Sequence, residues 1–137
     1  MIILDANALV KLVIKEESSL KAEKEIEKAI ENGEVLASPE IALAEALNAV
    51  WKHFSLVKDI NRTELNDSTE KLLFIWNRIT KLETQTLAQK AIGIAAENHL
   101  NAYDSLYVAA CKSNNAPLLT FDSDIIKRAG DLDVKLL

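Results

Sequence analysis

Two short apolar runs in the chain end in an aspartate. Ile2-Ile3-Leu4 runs into Asp5, and Leu118-Leu119-Thr120-Phe121 runs into Asp122. If both runs are central, parallel strands, both carboxylates emerge at the same edge of the sheet, where α/β folds bind ligands. Two carboxylates held close together repel, and one takes a raised pKa unless a cation lies between them. Oxygen donors of this kind suit Mg²⁺ or Mn²⁺. The competing use of each aspartate is as the cap of the helix that follows it.

Two further acids join this pair. Glu45 sits in Ile41-Ala42-Leu43-Ala44-Glu45-Ala46-Leu47-Asn48-Ala49-Val50, where only Glu45 and Asn48 are polar. An acid in such a run is expected to be at least half buried, and a buried carboxylate is costly unless it is paired or bound to a metal. Its alternative is a solvent-facing position on an alanine-rich helix. Asp104, in Tyr103-Asp104-Ser105, opens an otherwise apolar helix. There it could either serve the site or complement the helix dipole. Asn7 and Thr120 lie two residues after Asp5 and two before Asp122. Each could hydrogen-bond a carboxylate or a water held by the ion, although Asn7 also reads as a helix cap. Asp124 reads as solvent-facing. His53 and His99 lack ligand spacing, and no glycine-rich phosphate loop occurs. The single cysteine, Cys111, has no His or Asn context for a nucleophile and reads as a core residue.

The elements that must position these residues follow from periodicity. Ile2–Leu4 reads as a buried first strand, and a helix then runs through Leu9, Leu12 and Val13 with Asn7 as its cap. A second helix, Leu20 to Ala29, stops at Asn32-Gly33. Val35–Ala37 is a second strand, and Ser38-Pro39 opens a third helix with proline in its first turn. Asn61 caps a fourth helix, Thr63 to Arg78. Ile79 to Leu82 is an edge strand or a connector. Helices follow at Thr86 to Asn98 and Ala102 to Ser113. Pro117–Phe121 is a strand, Asp122 or Ser123 caps a short helix through Arg128, and Val134–Leu136 is a last strand. Short apolar strands alternating with helices imply an α/β fold, a short central parallel sheet flanked by helices on both faces.

Bulk properties bound the answer. The 137 residues fit one domain, and 49% hydrophobic with 27% charged residues is a globular composition. One cysteine allows no internal disulfide, so a reducing, cytoplasmic setting is expected. The amino-terminal stretch lacks the basic and long apolar character of a secretory signal, and no segment approaches the roughly 20 apolar residues of a membrane span. A net charge of −5 argues against simple electrostatic nucleic-acid binding. A divalent ion in an acidic cluster would reverse the local sign.

The motifs together resemble the PIN domain. Asp5-x-Asn7 after the first strand, Ser38-Pro39 followed by the helical Glu45, Tyr103-Asp104-Ser105 opening an apolar helix, and Leu118-Leu119-Thr120-x-Asp122 occur in that family's order. The resemblance spans residues 1–137 as one PIN-like domain, and the length is similar to the VapC toxin branch. It implies that Asp5, Glu45, Asp104 and Asp122 are catalytic metal ligands and that Asn7 and Thr120 accompany them. It further implies a Mg²⁺- or Mn²⁺-dependent endoribonuclease acting on RNA, a homodimer, and inhibition by a cognate antitoxin. Ions so held would activate water and stabilise a leaving oxygen on a phosphodiester. One rival is a haloacid-dehalogenase-like phosphatase, but its pattern demands Asp where Asn7 stands. Another is a PIN-like RNA-binding module without activity, against which all four acids are present.

The third and fourth helices carry more apolar surface than one core needs. Leu72-Leu73-Phe74-Ile75-Trp76 is five apolar residues in a row, and a helix turns only one stripe inward. Some of this run is expected to face outward as an interface for a second subunit or the antitoxin.

Overall fold

Ile2, Ile3 and Leu4 are all buried. Consecutive strand residues point to opposite faces, so a strand buried at every position must be covered on both sides. The structure, a computed structural model describing residues 1–137, meets that requirement with a parallel sheet of four strands in the order β3-β2-β1-β4, enclosed by helices. β1 is Ile2–Leu4, β2 Leu36–Pro39, β3 Thr80–Leu82 and β4 Leu118–Leu119. The register sets Ile3 beside Ala37 on one side and beside Leu118 on the other.

The helices are α1 (Ala6–Lys11), α2 (Ser19–Glu31), α3 (Ile41–Lys52), α4 (Arg62–Trp76), α5 (Thr84–Asn98), α6 (Ala102–Asn114) and α7 (Ser123–Arg128). α6 is buried from Ser105 to Cys111 and lies across β1, β2 and β4, with α5 packed against it. α1 rests against α2 and α3, and α3 against α4. Ile3, Leu4, Leu9, Leu72, Val108 and Leu118 are fully buried. Each such side chain contributes about 1.5–3 kcal/mol of burial free energy.

The strand order matters most for function. The chain steps outward from β1 to β2 to β3, then returns to place β4 on the other side of β1. The switch point therefore lies between β1 and β4, and the carboxyl ends of those two strands deliver Asp5 and Asp122.

Several sequence expectations need correction. Asp5, not Asn7, caps α1: the Ala8 N–H donates to Asp5 Oδ1 at 2.7 Å. Ser38 and Pro39 end β2 rather than opening α3. The Ser38 hydroxyl donates to the Leu4 carbonyl at 2.7 Å, which ties these residues to β1. Pro39, at the strand's last position, pairs with Leu82 of β3. That pairing makes Thr80–Leu82 a true edge strand. β4 is two residues rather than five, and Val134–Leu136 reduces to one bridge, Leu118 to Leu136. α3 does not stop at Lys52 but continues as one wider, π-type turn, His53–Val57. Asn61 does cap α4, with Glu64 reaching back to the Asn61 N–H in a full capping box. Gly33 takes φ +69°, the left-handed value that ends α2.

Candidate active site

All four acids line one cleft of about 250 Å³ at the carboxyl ends of β1 and β4. Asn7, Asn48, Lys52 and Tyr107 share its walls. Each acid arrives on a different element, and each is held by its own donors.

Asp5 is the deepest, only 3% exposed. Besides the Ala8 N–H, its carboxylate takes the Thr120 hydroxyl on Oδ2. Burial is the main reason its pKa is pushed up to about 7, with Asp122 and Glu45 adding repulsion against the two hydrogen bonds. Thr120 does two jobs at the end of β4. Its hydroxyl donates to Asp5, and its oxygen accepts the Asp122 N–H at 3.0 Å. The threonine thus locks the two strand-end acids to one another.

Asp122 caps α7, accepting the Asp124 N–H at 2.8 Å and the Ile125 N–H at 3.1 Å on Oδ1. The cap reading of this residue is therefore correct, and it coexists with a place in the cleft, as it does for Asp5. Glu45 is half-buried on α3 and accepts the Tyr107 hydroxyl on Oε2. Burial raises its pKa first, and Asp104 raises it further. Asp104, in the first turn of α6, is gripped by Asn101. The Asn101 amide donates to Asp104 Oδ2 at 2.7 Å, and the Asp104 N–H donates back to Asn101 Oδ1 at 2.8 Å. Its pKa is raised chiefly by burial, then by Asp122.

The electrostatic pattern is consistent across the cleft. Three of the four carboxyls hold their protons more tightly than usual, and mutual repulsion contributes to each. The cluster is short of positive charge. The known hydrogen bonds leave Glu45 Oε1, Asp104 Oδ1 and Asp122 Oδ2 without a protein donor. An all-oxygen set with unclaimed oxygens has the chemistry a hard divalent cation takes. As they stand, no three of these side chains are disposed to share one ion.

Asn7 is exposed on the cleft wall and makes no cap. Asp124 is exposed, as expected, and acts on the site only through its backbone and by repelling Asp104. Cys111 is buried, with its thiol pushed up to about 12 by burial. Sequence reasoning missed Tyr107, Asn48 and Lys52. The signal was present in helical spacing: Tyr107 is three residues after Asp104, and Asn48 and Lys52 are three and seven after Glu45, so each shares a face with an acid.

Comparison with known proteins identifies the family. The chain is 26% identical over 132 residues to ribonuclease VapC3 of Pyrobaculum aerophilum, covering 93% of each. Its fold superposes on the crystal structure of PAE2754 from the same organism with TM-score 0.70 and 25% identity, over 93% of this chain and 78% of the other. It also superposes on a toxin–antitoxin complex from Klebsiella pneumoniae with TM-score 0.63 and 15% identity, over 91% and 90% of the two chains. The family model described as PIN domain matches residues 2–132, a span that contains every acid of the cleft, and the chain belongs to that family.

Proposed function

We propose that this protein is a divalent-metal-dependent endoribonuclease and the toxin of a toxin–antitoxin pair. The observation that carries the reading is the convergence of Asp5, Glu45, Asp104 and Asp122 on one cleft, with raised proton affinity at three of them. Mg²⁺ or Mn²⁺ held by these acids would supply an activated water and a charge sink for a phosphodiester. The chain's own residues do the positioning. Thr120 fixes Asp5 against the loop that carries Asp122, Tyr107 aims Glu45 into the cleft, and Asn101 fixes Asp104. No histidine lines the cleft, so the general base is not an imidazole.

The phosphatase alternative would make Asp5 a nucleophile. Asp5 is deeply buried with both oxygens engaged, which speaks against direct attack. Cleavage of RNA by purified protein tests the reading. Activity with Mn²⁺ or Mg²⁺ that EDTA abolishes is expected, and a protein inert on all RNA, or one that forms a phospho-enzyme at Asp5, overturns it.

The relatives also bear on partners. An apolar groove of about 640 Å³ runs between α2 and α4, with Ile26, Ile30, Phe74 and Ile75 in its walls and Glu23 and Glu27 on its rim. We take it as the seat of the antitoxin, an amphipathic segment with basic flanks. A separate groove of about 480 Å³, with Leu47, Trp51 and Leu65 in its walls, lies between α3 and α4, the two helices the sequence pointed to. The outward part of α3, with Leu47 and Trp51, is the surface we assign to a homodimer. Trp76 belongs to neither surface, because it is 8% exposed and packs in the core, while Phe74 two residues earlier is 58% exposed. No helix is long and apolar enough to cross a membrane.

A further inference from the structure

We propose that Lys52, assisted by Asn48, is the phosphate-binding arm of the cleft and holds the backbone of single-stranded RNA beside the acids. The inference rests on the ribonuclease reading above and names residues that would make the site accept a polyanion.

The difficulty it answers is electrostatic. Four carboxylates line the cleft, and the whole chain carries a net charge of −5. A phosphodiester approaching this face meets like charge, and even with the acids' own demand for cations met, the flanking phosphates have no counter-charge. Lys52 is the only cationic side chain in the cleft wall. Glu45, Asn48 and Lys52 fall at i, i+3 and i+7 on α3, one stripe along the helix. At 1.5 Å of rise per residue, Lys52 stands about 10 Å along the axis from Glu45. That distance is too far to neutralise the acid by contact and suits a side chain reaching a neighbouring phosphate.

Three structural roles would otherwise account for Lys52, and none does. It makes no ion pair, since every salt bridge in the protein involves other residues. It does not complement a free helix end, because the helical path continues through Val57 and the N–H of His53 already satisfies the carbonyls of Ala49 and Val50. It does not cover core, since it is exposed. Arg128 offsets part of the raised proton affinity of Asp104, but it does not line the cleft, and its guanidinium donates to the Asn98 carbonyl. Asn48 is exposed one turn before Lys52, and its amide can donate to a phosphate oxygen while its carbonyl accepts from a ribose hydroxyl. A wider turn directly after Lys52 is a feature often found at functional sites.

The test is steady-state cleavage of an unstructured, fluorescently labelled RNA oligonucleotide in Mn²⁺ across a range of salt. The proteins are the parent chain, Lys52→Gln, Lys52→Arg, Asn48→Ala and, as a control on the exposed surface of α4, Lys71→Gln. Lys52→Gln is expected to raise KM about tenfold with a smaller effect on kcat, in keeping with loss of one charge-assisted hydrogen bond. Its plot of log kcat/KM against log salt is expected to be shallower by about 0.7, the contribution of one phosphate contact on a single strand. Lys52→Arg restores both quantities, Asn48→Ala raises KM less, and Lys71→Gln matches the parent. An unchanged salt slope in Lys52→Gln, or a loss confined to kcat, overturns the assignment while leaving the nuclease reading intact. If the parent chain cleaves no RNA, the nuclease reading itself fails and the arm with it.

Discussion

Replacing Asp5 by Asn should stabilise the metal-free protein, and by an amount that depends on pH. The Asp5 carboxyl moves from an ordinary 3.8 to about 7 on folding, chiefly through burial. An acid whose pKa is raised on folding binds its proton more tightly in the native state. That stabilisation is complete below about pH 4 and is lost as pH climbs through about 7. Three pH units at 1.36 kcal/mol each set an upper limit of about 4 kcal/mol. The amide variant has no such titration. Its oxygen still accepts the Ala8 N–H, and its NH₂ can donate to the Thr120 oxygen, at the cost of the hydroxyl hydrogen losing its acceptor, which takes back part of the gain. In EDTA, the variant and the parent should melt within a few degrees of each other near pH 4.5. By pH 8 the variant should melt higher, by about 10 °C if most of that limit is realised. Glu45 repels the Asp5 carboxylate and is itself raised by burial and by Asp104, so the quantity to read is the difference between the two proteins. A gap that stays constant from pH 4.5 to 8.5, or a variant less stable than the parent at pH 8, would refute the reasoning, because it would mean that the hydrogen bonds to the charged form outweigh its burial.

Other consequences can be checked alongside. Millimolar Mn²⁺ should raise the melting midpoint of the parent chain at neutral pH by mass action, and the gain should fade as pH falls and protons compete for the carboxylates. A midpoint indifferent to Mn²⁺ at pH 7.5 would count against the ligand set. Tyr107→Phe should keep the fold but lower cleavage about 10–100-fold, since removing the hydroxyl frees Glu45; wild-type activity would show that Glu45 needs no orienting partner. Phe74→Asp should change stability by no more than about 0.5 kcal/mol in the isolated chain yet weaken antitoxin capture, whereas Trp76→Ala should cost about 3–5 kcal/mol by emptying the core. Urea melts of the two variants distinguish them, and equal losses would mean that Phe74 is not a surface residue.

The legible part of the fold was the part set by local pattern. A three-residue apolar run ending in Asp5 specified β1, and the isolated glutamate in an apolar helix marked Glu45 as half-buried. Asn61 with Glu64 three residues on announced the start of α4. What the pattern missed depends on pairing across the chain. Ser38-Pro39 looks like a helix start because proline favours the first turn, but Pro39 is claimed by Leu82, 43 positions away. Thr80–Leu82 was ambiguous for the same reason, since an exposed three-residue strand is defined by its partner and not by its own residues. Leu72–Trp76 had to split between core and surface, and only packing decided that Leu72 and Trp76 turn in while Leu73 and Phe74 turn out. Within the site, the acids announced themselves by type. Tyr107 was hidden because a tyrosine in an apolar helix reads as core, which it also is.

The most direct test of the central claim is RNA cleavage by four single variants, Asp5→Asn, Glu45→Gln, Asp104→Asn and Asp122→Asn, each verified as folded by its melt, in Mn²⁺ under identical conditions. A water activated by ions that these acids hold jointly predicts that each variant loses cleavage by about 100-fold or more, the scale of a removed electrostatic contact at a reaction centre. Any folded variant of the four that cleaves at the parent rate would contradict the assignment of that acid, and full activity in Asp5→Asn would contradict the site as a whole.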